Sequence, residues 1–185
     1  SDRATKVRPY INAGFGVMLV GYRGYGGNPS SPTETGLFSD ALAALTYLVR
    51  LGFTPKTWVL YGESLGSGVA VEMAQRYAAA KTPVDAVILE APFTSMADAA
   101  AKHYPFVPVR ILVKDRYDSQ AKIRKINTRL LIFHGDLDRV VPFSLGKKLF
   151  EKASEPKHFH KVEGASHNNL YDFGSAKIVI EFLKH

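Results

Sequence analysis

The chain has no cysteine at any of its 185 positions. That absence excludes disulfides, thiolate metal centres and a cysteine nucleophile together. Nor does any apolar run reach the roughly eighteen residues that a membrane-spanning helix requires. Two phosphate-binding signatures are also lacking, G-x-x-x-x-G-K-[ST] and the dinucleotide pattern G-x-G-x-x-G. Nucleotide chemistry is therefore not where the sequence points. With 46% hydrophobic residues, the chain can bury one sizeable core, and residues 1–185 read as a single domain.

Negative charge is scarce in one stretch. Residues 102–129 hold eight basic residues (Lys102, Arg110, Lys114, Arg116, Lys122, Arg124, Lys125 and Arg129) against Asp115 and Asp118, and supply most of the net charge of +7. Such a block is a solvated basic face, or a surface for an anionic membrane or an acidic substrate. No recognition motif and no basic–aromatic repeat accompanies it, so nucleic acid is not an expected partner.

The stretch that organises the chain is residues 57–80. Trp58, Val59, Leu60 and Tyr61 form a short β-branched and aromatic run, which stops at Gly62-Glu63-Ser64-Leu65-Gly66 and gives way to a small, apolar helical texture. A strand, a sharp turn and a helix with serine at the bend make a nucleophile elbow: the hydroxyl stands clear at the strand's carboxyl end. Gly62 and Gly66 are expected to be glycine because side chains there would strike the neighbouring strand or helix. The Leu65 amide, at the positive end of the helix, is the expected oxyanion donor.

The remaining elements follow in order. Residues 3–13 read as a helix with Val7, Tyr10 and Ile11 on its packing side, stopped at Gly14. Residues 17–20 are a fully apolar run expected to be a buried parallel strand. Its exit, from Tyr22 to Pro29, is turn chemistry at the strand edge where ligands approach, and it makes Tyr22 a substrate-binding candidate. Thr33 is an N-cap for a helix carrying Leu37, Ala41, Leu45, Leu48 and Val49 at helical spacing. Further strands are expected over 84–89, 130–133 and 158–162, with a final helix over 169–183. Strands alternating with helices predict an α/β fold with a mostly parallel sheet flanked by helices.

Residues 93–128 break the alternation with helical pieces interrupted by Pro105 and Pro108. Their apolar residues exceed what a connection needs, so the segment reads as a small helical cap, the alternative being a crossover helix with a long tail. Phe93, Tyr104, Phe106 and Val107 are the expected lining of an apolar acyl pocket beneath it.

A serine hydroxyl needs a base, and the base needs a partner that fixes its tautomer. Two loops supply them, Asp136 and Asp138 in HGDLDRVVP and His167 in GASHNN. Spacing alone leaves both aspartates open. His134 is placed to hold the acid loop by local hydrogen bonding, while His158 and His160 read as a solvated strand edge.

Four segments stand in one order: Gly21-Tyr22-Arg23-Gly24-Tyr25-Gly26, Gly62-Glu63-Ser64-Leu65-Gly66, His134-Gly135-Asp136-Leu137-Asp138-Arg139-Val140-Val141-Pro142 and Gly164-Ala165-Ser166-His167. On these the chain resembles the α/β-hydrolase superfamily, and more narrowly the serine hydrolases similar to yeast bud-emergence homologues and animal depalmitoylating relatives. The resemblance implies Ser64, Asp138 and His167 as the triad, choosing Asp138 over Asp136. It further implies hydrolysis of an ester, thioester or amide through an acyl-enzyme, with no cofactor. The expected partner is a small-molecule or lipid-like acyl substrate, in the cytoplasm or at a membrane. A non-catalytic binding module on the same fold is the alternative.

One departure stands out. Family members carry three strands and an oxyanion loop ahead of the helix that opens these 185 residues. The expectation is a longer polypeptide, supplying a strand between residues 17–20 and 58–61 and a second oxyanion donor. Direct pairing of those two segments would instead close the gap.

Overall fold

The computed structural model describes residues 3–104 and 106–184, and of Arg110 the backbone alone. Pro105, expected to interrupt the helices, lies outside the described residues.

Among the described residues four strands, β1 (Val59–Glu63), β2 (Ala86–Glu90), β3 (Arg129–Gly135) and β4 (Lys157–Val162), pair in chain order, every pair parallel. Seven helices accompany them among the described residues: α1 (Arg3–Asn12), α2 (Glu34–Arg50), α3 (Leu65–Ala79), α4 (Met96–His103), the single turn α5 (Val109–Leu112), α6 (Phe143–Lys152) and α7 (Ser175–Leu183). Strand alternation sends successive side chains to opposite faces. Val87, Leu89, Leu130 and Ile132 therefore join a larger core with α2, α3 and α6, while Ile88, Leu131 and Phe133 join a smaller one with Val179 of α7. Burial on both faces explains why β2 and β3 read as unbroken apolar runs.

Thr33 caps α2 as expected, its Oγ1 accepting from the Gly36 amide at 3.2 Å. Leu37, Ala41 and Leu45 are buried, but Val49 lies on the solvent side.

Three expectations are corrected. Residues 17–20 form no strand: Leu19 is 60% exposed, and β1 has no neighbour on its outer edge among the described residues. A parallel strand exists only when a partner ladder satisfies its backbone, and apolarity alone does not create one. The direct pairing with β1 that would close the gap is not adopted. The expected final helix is divided, because Gly174, in the left-handed region at φ 79°, separates a 3-10 turn (Leu170–Phe173) from α7. Finally, α1 buries no residue and Ile11 is 55% exposed, so this helix is held by Lys6 and Tyr10 rather than by an apolar stripe.

Candidate active site

The bend between β1 and α3 places Ser64 at φ 50° and ψ −118°, a conformation that costs a non-glycine residue about 1–3 kcal/mol. Hydrogen bonds hold it there. The Ser64 amide donates to the Glu90 carbonyl at 2.9 Å, and the Ser64 carbonyl accepts from the Ser67 amide at 2.9 Å and the Ser67 hydroxyl at 2.6 Å. Leu65, as the first residue of α3, has an amide with no acceptor within the helix.

Two loops converge on this bend. β3 ends at Gly135, and the turn beyond it presents Asp138, whose side chain is fully buried. Its Oδ1 accepts from the amides of Val140 and Val141, both at 2.8 Å. Its Oδ2 accepts from His167 Nδ1 at 2.7 Å and from His134 Nε2 at 3.2 Å. Burial pushes this carboxyl upward, but the hydrogen bonds from His134, His167 and the Val141 amide outweigh it and hold the group well below the usual carboxylate range. An ionised Asp138 requires the proton of His167 on Nδ1. That leaves Nε2 as an acceptor, 3.0 Å from Ser64 Oγ.

The approach of the two loops depends on Gly135, where an added Cβ would stand 2.3 Å from the Ala165 carbonyl oxygen. Asp136 serves a different end: its Oδ1 accepts from the Gly164 amide at 2.8 Å and braces the histidine loop from outside. The structure thus brings Ser64, His167 and Asp138 together and leaves Asp136 apart.

His134 is fully buried, and its Nε2 also lies 2.9 Å from the Val141 carbonyl. A carbonyl only accepts, so Nε2 carries a proton. Replacing His134 by Leu is expected to remove a donor from Asp138 and from the Val141 carbonyl, costing about 1–3 kcal/mol. His134→Gln, which places a donor near the same point, should recover most of that. Urea unfolding midpoints of the two variants check it, and equal losses would assign His134 to packing alone.

The expected pocket residues are not gathered over Ser64. Phe93 is 1% exposed and belongs to the larger core. Tyr104, Phe106 and Val107 face solvent, Phe106 at 99% exposure. α4 stops at His103, whose Nε2 donates to the Val140 carbonyl at 2.8 Å. Tyr22 is half-buried against the larger core, where burial and the nearby Asp40 push its hydroxyl up to about 12. An open depression lined by Leu137, Arg139, Val140, Ser166 and Asn168 adjoins His167.

The basic stretch is likewise divided. Lys122 pairs with Glu72 of α3 at 2.7 Å, and Arg129 pairs with Asp85 at 2.6 Å, at the end of the sheet opposite Ser64. Arg124 donates to the Lys152 carbonyl at 3.1 Å. Arg110's side chain lies outside what is described. His158 and His160 are exposed on the edge strand β4.

Comparison with known proteins agrees with this architecture. A family model described as the alpha/beta hydrolase fold matches residues 3–108, and the chain belongs to that family. The Rv2307c protein of Mycobacterium tuberculosis is 41% identical over 157 residues, covering 84% of this chain and 54% of that protein. The lysophosphatidylserine lipase ABHD12 of Danio rerio is 38% identical over 166 residues, covering 81% of this chain and 43% of the lipase. Among solved structures, the Paleococcus ferrophilus monoacylglycerol lipase matches with a TM-score of 0.69 at 19% identity, covering 99% of this chain and 89% of that one. This last likeness concerns the fold. The chain spans about half the length of the curated relatives it matches.

Proposed function

We propose that the protein is a serine hydrolase that cleaves ester or thioester bonds through an acyl-enzyme. The observation that carries this reading is the unbroken relay from Ser64 Oγ to His167 Nε2 at 3.0 Å and from His167 Nδ1 to Asp138 Oδ2 at 2.7 Å. Ser64 Oγ attacks the acyl carbonyl carbon while its proton passes to His167 Nε2. The imidazolium formed is stabilised by ionised Asp138, and the oxyanion meets the Leu65 amide. As the tetrahedral intermediate collapses, the carbon–leaving-group bond breaks and the leaving group takes the proton from Nε2. Water, deprotonated by the same nitrogen, then releases the acid and restores Ser64.

The zebrafish relative's name supports a lipid-like acyl substrate. Residues 93–128 act in this reading as a cap, whose exposed Phe106, Ile111 and Leu112 meet the acyl-bearing lipid. Lys102 and Lys114 on the same segment provide the contact with an anionic membrane surface.

A fluorophosphonate probe tests the nucleophile directly. Labelling at Ser64 that disappears in Ser64→Ala supports the hydrolase. A folded wild-type protein that takes no label overturns it in favour of a non-catalytic binding module.

A further inference from the structure

On the sheet face opposite α3 lies a polar cluster that the relay does not use. Tyr61 and Glu63 share that face of β1, and Glu90 closes β2 in register with Glu63, so two carboxylates stand side by side beneath the bend. Lys6 of α1 reaches between them, its Nζ 2.8 Å from Glu63 and 2.5 Å from Glu90. Arg3 adds a second ion pair to Glu63. The Tyr61 hydroxyl donates to Glu90 at 2.5 Å and lies 2.8 Å from the Tyr171 hydroxyl, which in turn contacts that of Tyr10.

The order of donation follows from counting protons. Glu90 is an acceptor when ionised, so the single proton of Tyr61 is directed to it. The Tyr61 oxygen must then accept from Tyr171, and the Tyr171 oxygen from Tyr10. The Tyr171 and Tyr61 hydroxyls each give one hydrogen bond and receive one, Tyr10 opens the chain by giving one, and the chain ends on a carboxylate 2% exposed and neutralised by Lys6.

This chain is attached to both halves of the site. Glu63 immediately precedes Ser64, and the Glu90 carbonyl receives the Ser64 amide at 2.9 Å. Tyr171 lies in the turn that follows His167. That turn is tied back by Asn169, whose Oδ1 accepts from the Ser166 amide at 2.7 Å and whose carbonyl accepts from the Asp172 amide at 3.0 Å. We infer that Tyr61, Glu90, Lys6 and Tyr171 are positioning residues, a network that fixes the separation of Ser64 and His167 by joining the strand ends under Ser64 to the turn behind His167.

The inference rests on the hydrolase reading, and its test separates the two. Tyr171→Phe and Tyr61→Phe each delete one hydroxyl and keep the ring. Each is expected to slow fluorophosphonate labelling of Ser64 by about tenfold, since small misplacements of reacting groups have large kinetic effects. The double variant should lose no more than either alone, because one break already opens the chain. Val179→Ala, a buried substitution in α7 outside the network, serves as the control: it lowers the unfolding midpoint and leaves the labelling rate unchanged. A second readout needs no activity. The imidazole nitrogen NMR shifts of His167 should move in Tyr171→Phe and stay fixed in Val179→Ala. Tyr171→Phe with wild-type imidazole shifts, or with a wild-type labelling rate and only a lowered midpoint, overturns the inference. Absence of label in the wild type, with the imidazole response intact, removes the hydrolase reading and leaves the network standing.

Discussion

Asp138→Asn is expected to lower kcat by about four orders of magnitude, the scale set when the carboxylate of such a relay becomes an amide, while Asp136→Asn leaves kcat nearly unchanged. The reason lies in the donors around Asp138. The Val140 and Val141 amides both point at Oδ1, so an asparagine must place its carbonyl oxygen there and its NH2 toward His167 and His134. His134 Nε2 already carries a proton, which puts donor against donor. Facing an NH2, His167 takes the opposite tautomer, with its proton on Nε2 where it can no longer accept from Ser64. Asp136, by contrast, uses one oxygen to accept from the Gly164 amide, a role that an asparagine oxygen fills as well. Steady-state kinetics on a chromogenic ester measures both variants; equal losses would reassign the acid.

The same carboxylate has a consequence for stability. Its folded-state value is held below that of an unfolded aspartate, about 3.9. The contribution to stability is therefore complete above the unfolded value and is lost as the pH falls through the folded one. The midpoint-against-pH curve of the wild type should bend downward below about pH 4 more strongly than that of Asp138→Asn.

The sheet and the convergence of the three loops were legible because they are written in local patterns. Runs such as Ala86 to Leu89 and Leu130 to Phe133 are apolar at every position, which only a strand buried on both faces requires. Serine at a glycine-flanked bend, acid after the next-but-one strand and histidine after the last also follow chain order. What escaped was decided by partners distant in sequence. Residues 17–20 have the composition of a strand and no ladder to join. Phe106 and Tyr104 have the composition of a pocket, but both face solvent beyond α4, whose last residue His103 meets Val140 from a distant part of the chain. The network around Glu90 did leave a signal. Glu63 and Glu90 both end strands, on faces shared with Tyr61 and Ile88, and two in-register carboxylates at adjacent strand ends call for a cation between them. Nothing local names Lys6, which lies 84 residues from Glu90.

The two glycines of the elbow should part company. The motif treats Gly62 and Gly66 alike, yet only one is crowded. A Cβ on Gly62 would stand 2.5 Å from the Gly66 carbonyl oxygen and 2.7 Å from the Ser67 Cα, both backbone atoms of the first turn of α3. Neither can yield as a side chain does, so the helix must lift away from β1. Ser64 and Leu65, the last residue of the bend and the first of the helix, would move with it. Around Gly66 nothing lies within 4 Å of the added carbon, which corrects the expectation that both positions exclude a side chain. Gly66 is also helical, where alanine is favoured over glycine by up to about 1 kcal/mol. Gly62→Ala is therefore expected to lose about 3 kcal/mol or more of stability, and to slow fluorophosphonate labelling by about a hundredfold in whatever protein folds. Gly66→Ala should match or exceed the wild-type urea midpoint and label within about twofold of its rate. A Gly66→Ala variant as damaged as Gly62→Ala would mean that the space beside Gly66 is occupied in the working protein, and a harmless Gly62→Ala would mean that the contact between β1 and α3 at the elbow is looser than these distances describe.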